Sequence, residues 1–172
     1  MNRVLRLRLL GILFAVVVFG IDYAVKRLVM HGLRLREVGA IEILPFFDLR
    51  WAENYGVSLG MFTAQSSEGR WLLVTMTTGI ALFVLAWLLR ERKAGDIAAL
   101  ALVLGGAMGN IRDRMMQGFV IDYADLHFGE FRPFLIFNLA DAAITIGVLI
   151  ILARSLFSRD KPDTAAETAP ES

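Results

Sequence analysis

The sequence predicts a mainly α-helical, polytopic membrane protein with four transmembrane helices and a small β-sheet insertion outside the membrane. Of its 172 residues, 56% are hydrophobic and only 20% are charged, and the mean hydropathy is +0.58. A soluble domain of this length normally carries fewer apolar residues and more charge. With a net charge of +1 and basic residues grouped by position, no broad basic face is formed, so we expect no nucleic-acid partner.

Four apolar segments reach the roughly 20 residues that a helix needs to cross the hydrocarbon core of a bilayer. They predict spans at about 9–30, 71–89, 97–116 and 134–153. We find no interdomain linker and expect a single membrane domain over 1–157. The polar tail at 158–172 has no apolar periodicity, so we expect it to be a disordered cytoplasmic tail.

Basic residues collect on one side of the four predicted spans. They precede the first span, connect the second to the third, and follow the fourth, at Arg3, Arg6, Arg8, Arg90, Arg92, Lys93, Arg154, Arg159 and Lys161. The positive-inside rule puts that side in the cytoplasm. Both termini are then cytoplasmic, and the segments 32–70 and 117–133 lie at the outer face.

The segment between the first two spans contains a strand signal. In IEILPFFDLRWAEN, the apolar residues Phe47, Leu49 and Trp51 alternate with Asp48 and Arg50, as in a half-buried strand. We therefore predict an outer β insertion over about 32–68, with aromatic residues suited to the membrane surface.

Ionisable and amide residues within the spans are the main functional clue, since each costs about 2.5–3.5 kcal/mol at a helix centre unless paired or hydrated. Asp22 and Lys26 are spaced to pair on one helix face, which by itself suits a structural ion pair. Two further groups follow the same helical spacing: Asn110, Asp113 and Arg114 in the third span, and Asn138 and Asp141 in the fourth. All lie near the outer ends of their spans, which predicts one shared polar site at that level.

Two carboxylates flank the short outer loop, Asp122 in FVIDYAD and Asp141 in FNLADAA. Brought together, they share one proton, so that an ionised carboxylate activates water while its protonated neighbour bonds the scissile carbonyl. A metal hydrolase is less favoured, because the chain has no cysteine, only two histidines and no H-E-x-x-H motif. His127 is read as an interfacial loop residue and Asp125 as a solvated one.

GVSLG matches the nucleophile-elbow pattern G-x-S-x-G of serine hydrolases at Ser58. Its histidine partner would have to be His31 or His127. The strand-turn-helix context of an elbow is weak here, so we expect Ser58 not to be the nucleophile.

Four segments, IDYAVK, NYGVSLGMF, GGAMGNIRDRMMQGFVIDY and FNLADAAITIG, resemble the bacterial lipoprotein signal peptidases, also called signal peptidase II, an integral membrane aspartic peptidase family. The resemblance covers nearly everything from Leu7 to Ala153. It implies that Asp122 and Asp141 are the catalytic pair. Site-shaping and substrate-binding roles are implied for Asn54, Gly56, Asn110, Arg114 and Asn138, and structural roles for Asp22, Lys26 and Asp113.

The resemblance also implies a substrate, a compartment and an inhibitor. The substrate is a prolipoprotein cut just before a diacylglyceryl-modified cysteine, at the outer face of a bacterial inner membrane. The cyclic peptide globomycin is the expected inhibitor, membrane lipids surround the protein, and neither a cofactor nor a metal is expected. Departures from the family pattern are Tyr23 for Gln, Ser58 and Leu59 for Ala and Phe, and Ala142 for Ser.

Two other classes of protein compete with a peptidase. Intramembrane Asp, Lys and Arg also mark proton- or ion-coupled transporters, but a transporter needs polar residues at several depths, and the cytoplasmic halves of these spans have essentially none. The alternative of an anchoring protein without an active site does not explain why the polar residues of the spans cluster at one depth.

Overall fold

A computed structural model describes residues 2–56 and 67–157. Helix α1 (Arg3–Arg27) continues into a π-helical turn (Leu28–Gly32), and the remaining elements follow in chain order: α2 (Leu35–Val38), β1 (Ala40–Leu44), β2 (Phe47–Asn54), α3 (Ser67–Arg90), α4 (Ala94–Met116), β3 (Val120–Leu126) and α5 (Leu139–Phe157). Ser58 and the 158–172 tail lie outside the described residues.

Four helices in the described part of the chain are long and apolar enough to cross a membrane: Arg3–Gly32, Ser67–Arg90, Ala94–Met116 and Leu139–Phe157. The predicted fold class is therefore confirmed. Each of the first three extends a few residues beyond its predicted span. The last helix begins at Leu139 rather than near 134, because Asn138 caps its N-terminus.

Helix α4 is the centre of the bundle and packs against α1, α3 and α5. Small residues allow this close approach. A Cβ on Gly105 would lie 2.5 Å from the Ala15 carbonyl oxygen of α1, and a Cβ on Gly147 would lie 2.6 Å from the Ala99 carbonyl oxygen. A Cβ on Gly106 would contact the Ala140 carbonyl oxygen of α5. Backbone contacts of this kind fix the position of α5 against α4.

The three strands form one antiparallel sheet in the order β1-β2-β3. The predicted strand at 47–54 is present as β2. The prediction that the sheet lies wholly within the 32–68 insertion is wrong, because β3 comes from the segment between α4 and α5. All but the last residue of β3 are buried, so this strand lacks the polar and apolar alternation of a half-exposed strand. In register, Ala52 of β2 lies opposite Asp122 of β3.

The sheet lies at the end of the bundle where α1 and α4 end and where α3 and α5 begin. We call this end the sheet side. The opposite end carries the α3–α4 connection and the start of α1, where Arg8 donates from Nε to the Glu91 carbonyl oxygen at 2.9 Å and from Nη2 to the Arg90 carbonyl oxygen at 2.9 Å.

Replacing Gly106 should test the close packing of α4 and α5. Gly106→Ala places a methyl group against the backbone of Ala140, which cannot move aside as a flexible side chain could. We expect a loss of about 1–3 kcal/mol in unfolding free energy, seen as a lower midpoint of thermal unfolding in detergent. Gly79→Ala in α3 is the matched control, since nothing lies within 4 Å of its added Cβ. Equal midpoints for the two variants would contradict the packing described here.

Candidate active site

The N-terminus of α5 is partly buried, and side chains accept its first four backbone N–H groups. Asp141 Oδ2 accepts from Asn138 N at 3.3 Å, and Asn138 Oδ1 accepts from Asp141 N at 3.0 Å. Tyr123 Oη accepts from Leu139 N at 3.2 Å, and Asp22 Oδ1 accepts from Ala140 N at 3.0 Å. A helix leaves these donors without intrahelical partners, so α1, β3 and α5 itself supply the acceptors.

Asn138 and Asp141 form a reciprocal capping box, in which each side chain accepts the other residue's backbone N–H. The prediction that the two side chains share a helix face is therefore wrong in its geometry. Asn138 is the residue before the helix, and only Asp141 is helical. The cap nevertheless brings the two side chains together, so the predicted proximity holds.

Asp122 projects from β3 and is only 2% exposed. Its carboxylate accepts from Asn54 Nδ2 at 3.0 Å and from Asn138 Nδ2 at 2.6 Å. The pKa of Asp122 is raised to about 6. Burial is the largest cause and the negative charge of Asp141 is the second, while the hydrogen bonds from the two amide groups act in the opposite direction. Asp122 is thus a carboxyl group whose charge changes close to neutral pH.

Amide side chains connect the two carboxylates. Asp141 Oδ1 accepts from Asn110 Nδ2 at 2.7 Å, and Asn110 Oδ1 accepts from Asn138 Nδ2 at 3.3 Å. Asn138 Nδ2 therefore contacts both Asp122 and Asn110. This chain of bonds holds Asp122 and Asp141 in fixed positions on two different elements.

Lys26 supports the network from α1 and is 2% exposed. Its Nζ lies 2.9 Å from Asp22 Oδ2 and 2.8 Å from Asp113 Oδ2, and it donates to Asn110 Oδ1 at 3.2 Å. The ammonium nitrogen thus lies within 3.2 Å of three oxygen atoms. The predicted Asp22–Lys26 pair is present, and Asp113 completes it by also accepting from Ile121 N at 3.4 Å.

Two further predicted residues border the pair. Asn54 Oδ1 accepts from Gly56 N at 2.9 Å, a local turn that aims the Asn54 amide at Asp122. Gly56 has φ of +97°, a conformation that glycine adopts without strain. Arg114 is half-buried within electrostatic range of Asp141 and Asp122, and its buried Nε has no hydrogen-bond partner among the described residues.

The structure differs from the sequence prediction at Asp125, and it adds Tyr123 to the residues of the site. Asp125, expected to be solvated, is fully buried, and its Oδ2 lies 3.2 Å from the Nε atoms of Arg50 and Arg132. Tyr123 caps α5, and burial raises its pKa to about 12, which keeps the hydroxyl protonated. In the sequence, the only feature that could have indicated Tyr123 is its position between two aspartates in IDYAD. His127 lies 3.2 Å from Asp48 in the sheet.

Buried polar side chains in the described ranges all lie on the sheet side of the bundle. They are Asp22, Lys26, Asp48, Asn110, Asp113, Asp122, Asp125 and Asn138. A transport path needs polar groups along the membrane depth, whereas this distribution gives one polar layer. In residues 2–56 and 67–157, no group of three or more His, Asp or Glu side chains could hold a metal ion.

Four apolar helices with one buried layer of carboxylates and amides define a multi-pass membrane protein whose acid–base groups suit hydrolysis. The sequence profile of the family described as Signal peptidase (SPase) II matches residues 14–157. The chain belongs to this family and is a membrane peptidase.

Named relatives and solved structures agree with this assignment. Lipoprotein signal peptidase from Sphingopyxis alaskensis is 51% identical over 155 residues, covering 90% of both chains. The protein of the same name from Rhizorhabdus wittichii is 53% identical over 160 residues, covering 93% of this chain and 92% of its own. A bacterial membrane enzyme solved by the in meso method at 2.3 Å resolution is 26% identical, with a TM-score of 0.75 over 91% of this chain and 94% of its own.

Removing the Lys26 ammonium should destabilise the protein strongly. Lys26→Met removes the ammonium group that lies 2.9 Å from Asp22 and 2.8 Å from Asp113, two buried carboxylates, and breaking such a pair costs about 3–5 kcal/mol. The measurement is thermal unfolding in detergent at neutral pH. Lys93→Met is the matched control, because Lys93 is exposed on the opposite end of the bundle. A Lys26→Met midpoint equal to that of Lys93→Met would show that the pairing contributes nothing to stability.

Proposed function

We propose that this protein removes signal peptides from prolipoproteins, cutting before the diacylglyceryl-modified cysteine, and that Asp122 and Asp141 perform the hydrolysis. The observation that carries the proposal is the carboxylate pair joined through Asn138 and Asn110. The relatives named lipoprotein signal peptidase support the substrate class.

A shared proton gives the two aspartates different tasks. The ionised carboxylate takes a proton from a water molecule, whose oxygen then attacks the scissile carbonyl carbon. The protonated carboxyl donates its hydrogen bond to the carbonyl oxygen as negative charge develops there. Collapse of the tetrahedral intermediate breaks the C–N bond, and the proton taken from water passes to the leaving amine. The raised pKa of Asp122, about 6, makes this carboxyl easier to protonate near neutral pH than an ordinary aspartate.

The remaining polar residues have positioning and binding roles in this proposal. Asn54, Asn110 and Asn138 orient the carboxylates through the amide bonds described above. Arg114 offers a buried Nε without a partner among the described residues, and its planar group suits a substrate backbone carbonyl or an aspartate. Gly56 keeps Asn54 in place, while Asp22, Lys26 and Asp113 are structural.

We further propose a bacterial inner membrane location with both termini in the cytoplasm and the sheet side at the outer face. The support is the run of basic residues at the opposite end of the bundle, where Arg8, Arg90, Arg92 and Lys93 lie. A prolipoprotein held by acyl chains and an apolar helix presents its scissile bond at the outer membrane surface. Membrane lipids and a globomycin-type cyclic peptide are the other proposed partners.

Cleavage of a purified diacylglyceryl-modified prolipoprotein tests the assignment of the aspartates. Asp122→Asn and Asp141→Asn should each abolish product formation, because an amide can neither activate water nor share a proton. Asp48→Asn is the matched control, a buried carboxylate of the same sheet outside the pair, and Ser58→Ala tests the serine elbow. Both should retain most activity. Turnover by Asp141→Asn together with loss in Ser58→Ala would reverse the proposed mechanism.

The pH dependence of kcat tests the amide bond from Asn54. That bond stabilises the charged form of Asp122, so Asn54→Ala should raise the pKa of Asp122. Because the monoprotonated pair is the active form, the alkaline limb of the profile should move upward by roughly one pH unit. Asn2→Ala, which removes an amide cap at the opposite end of the bundle, should leave the limb in place. An alkaline limb that stays at the same pH or moves to lower pH in Asn54→Ala would contradict the proposed role of the Asn54 hydrogen bond.

Cysteine labelling in intact cells tests the orientation, and the chain has no cysteine of its own. Ser67→Cys and Gly129→Cys should react with an impermeant thiol reagent added outside, because both lie on the sheet side. Ala94→Cys, at the start of α4, should react only after the cells are permeabilised. Labelling of Ala94→Cys in intact cells would place the carboxylate pair on the cytoplasmic face.

A further inference from the structure

A small cationic pocket lies between α1, α4 and β3 on the sheet side, separate from the space between the two catalytic aspartates. Its volume is about 150 Å³. The described residues that line it are Tyr23, Lys26, Arg27, Met30, His31, Arg112, Gln117 and Ile121. They include one lysine and two arginines and no carboxylate, a lining that favours an anion.

The ring of Tyr23 holds two arginines together. The Arg27 guanidinium carbon lies 5.9 Å from the ring centroid, and that of Arg112 lies 4.3 Å from it. Arg27 Nη1 also donates to Tyr23 Oη at 3.2 Å. Two guanidinium groups gathered on one ring repel each other, and an anion bound to both would remove that repulsion.

The charges around the pocket leave one positive charge unbalanced. Lys26 is paired with Asp22 and Asp113, and Arg112 Nη1 lies 3.5 Å from Asp113 Oδ1. Among the described residues, Asp22 and Asp113 thus pair with Lys26 and Arg112, and no carboxylate forms an ion pair with Arg27. An excess of one positive charge matches the single negative charge of a phosphodiester, and arginine pairs are well suited to phosphate oxygens.

Apolar surface lies directly below the pocket, one helical turn deeper in the membrane. Phe19 stacks against Tyr23 with a centroid distance of 6.5 Å, and Met108, one turn below Arg112, is 36% exposed. Leu28, which follows Arg27 in the chain, is 57% exposed. A phosphate that carries acyl chains would therefore find apolar contacts that a free phosphate ion would not use.

We propose that this pocket binds the phosphodiester headgroup of an anionic phospholipid, with Arg27 and Arg112 contacting the phosphate and the acyl chains lying along α1 and α4. Lys26 forms the inner wall of the pocket and also holds Asn110. The bound lipid thus lies beside Lys26, which supports the proposed catalytic pair through Asn110. The lipid is not a substrate in this proposal. The proposed lipid site does not depend on which bond of the substrate the enzyme hydrolyses.

Native mass spectrometry of the purified full chain can measure lipid retention with equal amounts of phosphatidylglycerol and phosphatidylcholine. The unmodified protein should retain phosphatidylglycerol preferentially. Arg27→Gln with Arg112→Gln should lose that preference, by about fivefold for each arginine removed. Arg34→Gln is the matched control on the same side of the bundle, where Arg34 pairs with Glu37 and is 71% exposed. It should keep the preference.

A conservative pair separates lost binding from lost folding. Arg27→Lys with Arg112→Lys keeps both charges and should retain most of the preference, and all variants should retain phosphatidylcholine equally. Inorganic phosphate at millimolar concentration should not displace the lipid. Equal phosphatidylglycerol preference in the double Gln variant and in Arg34→Gln, or full displacement by inorganic phosphate, would overturn the proposal.

Discussion

The partly buried N-terminus of α5 is the constraint on which the rest of the site depends. Its first four N–H groups have no intrahelical partner, and each is accepted by a side chain within the protein. Asp22 of α1, Tyr123 of β3 and the capping pair of α5 itself supply those acceptors. Satisfying one helix end thereby joins α5 to the preceding strand and to α1, where Asp22 lies 118 residues before Ala140.

The same constraint determines the chemistry of the site. Asp141 is a capping residue of α5 and Asp122 lies on the strand next to Tyr123, so closing the cap also brings the two carboxylates near each other. The N-terminus of a helix favours negative charge nearby, which helps to keep carboxylates in a buried layer. Lys26, Arg112 and Arg114 are the cations beside four carboxylates, Asp22, Asp113, Asp122 and Asp141. A proton shared by Asp122 and Asp141 reduces the remaining negative charge.

Sequence patterns predicted the features that depend on local spacing and on the bilayer. Four apolar segments predicted the spans, and the i, i+4 spacing of Asp22 and Lys26 predicted their ion pair. The collection of polar residues at one end of the spans predicted a single polar layer, which the buried side chains form. These inferences needed no knowledge of how distant segments pack.

Features that depend on long-range pairing could not be predicted in the same way. Strand β3 is covered on both faces, so it shows no alternation, and its pairing with β2 is visible only in the fold. Asn138 has the spacing of a helix-face residue from Asp141 but acts as the cap, because the helix begins one residue later. Asp125 looked solvated because its partners Arg50 and Arg132 lie on another strand and on a loop.

The central claim is that Asp122 and Asp141 behave as one electrostatically coupled pair. Carboxyl-carbon NMR of labelled aspartate, assigned with Asp122→Asn, measures the titration of Asp122 directly. The account predicts a pKa of about 6 for Asp122, and a lower pKa in Asp141→Asn, because that change removes the neighbouring negative charge. Titration of Asp122 near its ordinary value of 3.8, or a pKa that does not respond to Asp141→Asn, would contradict the account.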